Sequence, residues 1–295
     1  MEQIKKYISE KRASLSQSSL TTYASILKNL YKRVFGDGTA DLEKFDSHVD
    51  EVLHFLKDTP PNRRKTILSA LVIITDKKPY RDLMLEDVRD YNKEIERQEK
   101  TPQQQASWID GNEVKQVYDE LKKNAALLYK KKQHTAHDLQ QIQSYIVIAL
   151  LGGVFIPPRR AKDFVDFVIR DVDTSKDNYI LKRKLVFNSY KTAKTYGQQS
   201  VDIPVQLANI LKKWISINPT KYLLFDSKMD KLSSVKLNQR LNKIFCGRQI
   251  SINALRHSFL TDKYSQHSKE QKRLATDMSA MGSSPAMADT YIKLN

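Results

Sequence analysis

The apolar run Tyr145 to Ile156 (YIVIALLGGVFI), closed by Gly152-Gly153 and followed at once by Pro157-Pro158, constrains this chain more than any other feature. It is shorter than the roughly 20 residues a helix needs to span a bilayer, so the rest of the protein has to cover it. A buried helix over residues 139–156 is expected, ending near the glycine pair, and the double proline forces a break behind it. The chain would then restart as a helix with Arg160 in its first turns, backed by that buried helix.

Around this centre the periodicity is mostly helical. Ser16 to Phe35 places Leu20, Tyr23, Leu27, Leu30 and Tyr31 along one side, with serines at the front as caps. Val49 to Leu56, Arg63 to Thr75 and Leu83 to Arg97 read as further helices, which makes residues 1–98 an all-helical, lysine-rich unit. The polar segment 99–106, with Pro102 and no apolar period, is the expected linker, and residues 107–295 form the second domain. There the period changes after Asp171. Tyr179 to Phe187 and Gln199 to Ile203 favour β-branched and aromatic residues, so a β-hairpin is expected before helices resume at Val205. The fold class is therefore mainly α with a small β-sheet.

Composition narrows the partners. Lys and Arg number 50 against 34 Asp and Glu, a net charge of +16, which suits a polyanion whose phosphates clustered cations neutralise with counterion release. The single Cys246 excludes an intramolecular disulfide, and no Cys/His cluster has zinc spacing. The opening residues Met1 to Lys6 lack an apolar signal region, so a soluble intracellular protein is expected, with no membrane partner.

Four groups of residues carry candidate chemistry, and each alone also fits an ordinary structural use. In Pro157-Pro158-Arg159-Arg160-Ala161-Lys162-Asp163, Arg160 is placed to grip a phosphate through two parallel hydrogen bonds, or else simply to pair with Asp163 one turn on. The expected hairpin carries Lys182, Arg183, Lys184, Lys191 and Lys194 without an interspersed acid; a lysine at its tip can protonate a leaving oxygen, or merely blunt a sheet edge. In the helix from Ile250 to Thr261, Asn253 and Arg256 share one face while Ile252, Leu255 and Phe259 share the other, so Arg256 lies near a core and needs an anionic partner. His257 beside it reads as a packed, hydrogen-bonded histidine. Finally, Gly282 ends one helix, Ser283 or Ser284 caps the next, and Tyr291 sits about two turns inside it.

In order and local frame, these four groups resemble the tyrosine recombinases, the family of phage integrases, bacterial resolving recombinases and related viral enzymes. Arg160 with Asp163 matches the family's first arginine and the acid three residues on. Lys191, or less securely Lys194, matches the hairpin lysine, Asn253-Ala254-Leu255-Arg256-His257 the His-x-x-Arg box, Met281-Gly282-Ser283 the Leu-Gly-His segment, and Tyr291 the terminal tyrosine. PPRR, YKTAKTYG and LRHSFLTD also look like integrases of large DNA viruses and their satellites.

The resemblance implies a helical core-binding domain and a catalytic domain that clamp duplex DNA in a C shape, working as a homotetramer on two sites. Tyr291 would attack a phosphodiester to leave a 3′-phosphotyrosyl bond, with Arg160 and Arg256 holding the phosphate and Lys191 protonating the departing oxygen. No metal or nucleotide cofactor is implied, since the covalent link conserves the bond energy. The chain departs from the family where Asn253 replaces His or Lys, where Ser283 replaces His or Trp, and in a Ser283–Tyr291 spacing one residue short; only Ile292 to Asn295 follow the tyrosine, a short tail for subunit exchange. These departures keep open a recombinase-derived DNA-binding protein with faded chemistry. A type IB topoisomerase shares the same chemistry.

Overall fold

The computed structural model describes residues 1–292; Lys293, Leu294 and Asn295, which the expected second domain includes, lie outside the described residues. Two compact units divide the chain, Met1–Lys100 and Thr101–Asn295.

The first unit is helical: α1 (Glu2–Lys11), α2 (Gln17–Phe35), α3 (Lys44–Ser47), α4 (Val49–Leu56), α5 (Pro61–Thr75) and α6 (Lys78–Arg97). Ser16 caps α2 by accepting from the Ser19 amide at 3.1 Å, so the serines do what their position suggested. The α2 stripe of Leu20, Leu27, Leu30 and Tyr31 is buried with Ile8, Phe45, Val52, Leu56, Leu68 and Leu71. Helix α1 escaped the periodicity reading because only Ile4 and Ile8, one turn apart, are buried among its charged residues. Buried polar groups are paired: Tyr80 Oη donates to the Phe45 carbonyl at 2.8 Å, and Arg64 grips the buried Asp87 through Nε at 2.9 Å and Nη2 at 2.7 Å, which fastens α5 to α6.

In the second unit the expected linker carries a short helix, α7 (Pro102–Ala106). Thr101 accepts from the Gln104 amide at 3.2 Å and Gln104 Oε1 accepts from the Thr101 amide at 2.9 Å, a reciprocal cap with Pro102 at the first helical position. Such a turn has no buried face, so hydrophobic period could not detect it. Helices α8 (Gly111–Leu128), α9 (Ala136–Leu151) and α10 (Ala161–Val165) follow, then β1 (Tyr179–Leu181), β2 (Lys184–Phe187), α11 (Ala193–Tyr196) and β3 (Gln199–Asp202). Helices α12 (Val205–Ile217), α13 (Ser234–Ile244) and α14 (Ile252–Ala280), a 3₁₀ turn at Pro285–Met287 and α15 (Ala288–Tyr291) complete the described residues. The strands form an antiparallel sheet in the order β1-β2-β3, with Tyr179 opposite Val186 and Phe187 opposite Gln199. The fold is thus mainly α with a small three-stranded sheet.

Helix α9 is the axis of the second core. Every residue from Tyr145 to Leu151 is buried, as expected of a helix apolar on all sides. Its one buried amide, Gln143, exchanges two 2.8 Å bonds with the backbone of Phe225, so no polar group is stranded there. Among the described residues no helix is long and apolar enough to cross a membrane.

Candidate active site

The turn after α9 places two adjacent arginines in different roles. Arg159 Nε donates to Asp163 Oδ2 at 2.8 Å, its Nη1 and Nη2 each reach Gln199 Oε1 at 3.2 Å, and its guanidinium lies 4.0 Å from the Phe187 ring centroid. The ion pair with Asp163, one of the two uses open to Arg160, is made by Arg159 instead. Arg160 is the N-cap of α10, with extended backbone (φ −68°, ψ 154°), and Arg159, one residue before it, is held over the first turn by Asp163, Gln199 and the face of Phe187. Arg160, half-buried, makes no side-chain hydrogen bond or ion pair among the described residues.

Asp163 is 2% exposed, and its Oδ1 is buried without a hydrogen-bond partner among the described residues. Burial pushes its carboxyl above the usual range, against the opposing pull of Arg159, Arg160 and Arg256. Arg160 and Arg256 thus both lie within electrostatic reach of one buried carboxyl, although 96 positions separate them (256 − 160).

Arg256 is carried by the opening turns of α14. Ser251 caps the helix by accepting from the Ala254 amide at 3.1 Å, and Ile252 and Leu255 enter the core. Two residues past Arg256, the buried Ser258 donates to the Ile109 carbonyl, and Phe259 packs on Gly153. Gly153 has φ +77°, and a Cβ there would stand 2.6 Å from Phe259 Cδ2, so only glycine lets α14 lie this close to the end of α9. Arg256 is half-buried and reaches Asn253 Oδ1 at 3.5 Å, the outer limit of a hydrogen bond, which leaves its fork open to another acceptor. His257 is exposed and makes no side-chain hydrogen bond among the described residues, contrary to the packed role expected; it falls on the solvent side of the stripe Ile252-Leu255-Ser258.

The sheet divides the basic residues assigned to one hairpin. Lys182 and Arg183 form the tight β1–β2 turn, with Lys184 beginning β2, whereas Lys191 and Lys194 lie in the 188–198 connection at the other end of that strand. Only this second pair is at the end where Phe187 and Gln199 meet Arg159. The connection is shaped by Tyr190, whose Oη donates to the Gly197 carbonyl at 2.6 Å, and is tied by Asn178 to the backbone of Asp163. Lys191 and Lys194 are both exposed. Arg159, Asn178 and Gln199 are the residues that motif spacing missed; Arg159 stood in the sequence beside Arg160, but nothing in the string says which of two neighbouring arginines turns inward.

At the C-terminal side, Gly282 (φ +72°) ends α14 and the Ser283 amide returns to the Met278 carbonyl at 2.8 Å. Ser284 precedes the 3₁₀ turn, with Pro285 first in it. Tyr291 is the last residue of α15, its side chain 57% exposed, while Ala288 one turn earlier is buried. Among the described residues, neither Ser283 nor Tyr291 makes a side-chain hydrogen bond to Arg160, Lys191 or Arg256. The structure therefore gathers Arg160, Arg256 and, through Asn178, the stem of the Lys191 connection around Asp163, with Asn253 beside Arg256, and leaves Tyr291 exposed, without a side-chain hydrogen bond among the described residues.

Neither a family model nor a curated protein matches the chain. Solved structures similar to it include a lambda integrase (75–356) dimer bound to a COC′ core site, at 13% identity over 90% of this chain and 88% of that one, with a TM-score of 0.47. XerH site-specific recombinase bound to its difH substrate, a pre-cleavage complex, is similar at 13% identity over 89% and 85%, TM-score 0.40. XerA recombinase is similar at 11% identity over 100% and 94%, TM-score 0.36.

Proposed function

We propose that this chain is a tyrosine recombinase, a site-specific enzyme that breaks and rejoins double-stranded DNA in integrating or resolving a mobile or viral genome. The observation that carries this reading is the convergence on Asp163. Two half-buried arginines, whose forks are not filled among the described residues, pull on that one carboxyl, and Asn178 bridges its backbone to the stem of the lysine-bearing connection. Both guanidiniums can take a further anion, and a phosphodiester is the anion that the net charge of +16 attracts over a whole surface.

In the proposed reaction the Tyr291 oxygen attacks the phosphorus and gives its phenolic proton to solvent. The bond from phosphorus to the 5′ oxygen breaks, and that oxygen takes a proton from the Lys191 ammonium. Arg160 and Arg256 hold the non-bridging oxygens as charge builds on the five-coordinate phosphorus. Rejoining is the reverse with a 5′-hydroxyl as nucleophile, so no metal or nucleotide is consumed. Of the similar solved structures, the lambda integrase dimer is bound to a core site and XerH recombinase to its difH substrate. Assembly as a homotetramer on two duplexes belongs to the same proposal.

The exposure of Tyr291, with Asn253 and Ser283 in place of stronger donors, favours a second reading, a recombinase-derived DNA-binding protein without strand cleavage. Nicked suicide duplexes separate the two. Wild type is expected to form a covalent protein–DNA species on denaturing gels and Tyr291→Phe to bind the same duplex without forming it. Adducts that persist in Tyr291→Phe would reject the nucleophile, and duplex binding without any adduct would favour the second reading.

A further inference from the structure

Asn178 is fully buried, and its side chain uses all four of its hydrogen-bonding positions across two segments that the proposed mechanism needs. Nδ2 donates to the Asp163 carbonyl at 2.9 Å and to the Ser189 carbonyl at 2.8 Å. Oδ1 accepts from the amides of Asn188 at 2.9 Å and Ser189 at 2.7 Å. Asp163 is three residues beyond Arg160, and Ser189 is two residues before Lys191. Two donors and two acceptors in one plane are what a carboxamide supplies; an aspartate lacks the donors and a serine lacks both the reach and the second pair.

The backbone of Asn178 is itself held, since its carbonyl accepts from the Val168 amide at 2.8 Å beside α10. Other bonds of the 188–198 connection fasten it elsewhere: Tyr190 to Gly197 and Gln198 to Asn188 close it on itself, and Asn188 Nδ2 reaches the turn before β1. Asn178 is the side chain bonded both to the stem of that connection and to α10. Lys191 is exposed and has no bond of its own among the described residues, so its position is inherited from the backbone two residues earlier.

We propose that Asn178 is a positioning residue for strand cleavage, holding the Lys191 ammonium in register with the phosphate that Arg160 grips. The inference rests on the strand-cleavage reading above. General-acid help is worth about 10²–10⁴ in rate, and displacing a catalytic group by about 1 Å costs about 10²-fold, so loosening this anchor is expected to slow cleavage by about 10²-fold.

The test uses the full chain and a duplex selected by the protein from a randomised pool, made with either oxygen or sulfur at the bridging 5′ position of the scissile phosphate. A thiolate departs without a proton, so the sulfur substrate removes the need for Lys191 and for whatever positions it. Asn178→Asp and Asn178→Ser are expected to form adduct slowly on oxygen and to match wild type on sulfur, as Lys191→Ala does, while Arg256→Ala stays slow on both. Equal losses on both substrates would mean general structural damage and would overturn the proposal, as would wild-type rates on oxygen or failure of sulfur to rescue Lys191→Ala. If wild type forms no adduct on either substrate, strand cleavage itself has failed and the inference falls with it. Independently of any variant's folding, the Asn188 and Ser189 amides of wild type are expected to exchange hydrogen as slowly as the core; fast exchange would remove the anchor.

Discussion

Arg159→Ala and Arg160→Ala, one position apart, are expected to fail in opposite ways. Removing Arg159 leaves Asp163, 2% exposed, with neither oxygen paired, and strips a cation from the face of Phe187. Breaking a buried ion pair from one side costs about 3–5 kcal/mol. At about 2–4 °C per kcal/mol for a unit of this size, Tm falls by roughly 6–20 °C. Burial already holds the Asp163 carboxyl above its usual range, and without Arg159 it rises further. A carboxyl whose folded pKa is raised destabilises the fold while it is ionised, and the penalty lifts as pH drops through that pKa toward its unfolded value of about 3.9. The Arg159→Ala deficit should therefore be largest at neutral pH and shrink in mild acid. Arg160→Ala removes no side-chain hydrogen bond among the described residues, so stability should change by no more than about 0.5 kcal/mol, while adduct formation falls by about 10²–10³ for want of a phosphate donor. Thermal unfolding from pH 5 to 8, with single-turnover cleavage, reads both quantities. A stable Arg159→Ala protein, or an Arg160→Ala protein as unstable as its neighbour, would refute the division of roles.

Two further outcomes follow from the second unit. Gly153→Ala combines a positive φ with a Cβ 2.6 Å from Phe259, so a loss of about 1–3 kcal/mol is expected, with slower cleavage as the ring displaces the opening of α14; an unaltered Tm would show that α14 does not depend on this contact. Acid should also weaken the fold through Asp138 and Asp226, each held down to about 2 chiefly by a lysine, Lys131 and Lys236. Their folded pKa values lie below the unfolded ones, so the stabilisation is present above about 4 and is lost as pH falls toward 2. Urea unfolding across that range should steepen in wild type and flatten in the Asp138→Asn/Asp226→Asn variant; identical slopes would contradict it.

What the sequence made legible is what periodicity and chain breaks encode. The α2 stripe and the all-round apolar α9 follow from repeated burial, a local property of the string, whereas α9 ends at Leu151 beside the glycine pair and does not run on through residue 156 to the prolines. Helix α7 and the depth of α1 were hidden because a reciprocal cap and two isoleucines leave almost no period to detect. The strands were legible as strands, but not the reversal at Lys182-Arg183 that sends Lys184 and Lys191 to opposite ends of β2.

The site divides along the same line. The proposed site residues Arg160, Arg256, Lys191 and Tyr291 were visible because they stand in recognisable frames, whereas the groups that hold the segments around them are ordinary residues whose partners lie far off in the chain. Arg159 meets Gln199 across 40 positions, Asn178 meets Asp163 across 15, and Ser258 meets Ile109 across 149. Each such bond is specific only once the backbone has brought its ends together, so no local pattern announces it. Arg159 illustrates the consequence: in sequence it is indistinguishable from Arg160, yet one guanidinium turns into a buried carboxyl and the other has no side-chain partner among the described residues. On the proposed reading the chemistry is written in residue identity and its aim in the long-range hydrogen bonds of Asn178 and Arg159, so substitution at those positions is expected to separate a site that is present from a site that works.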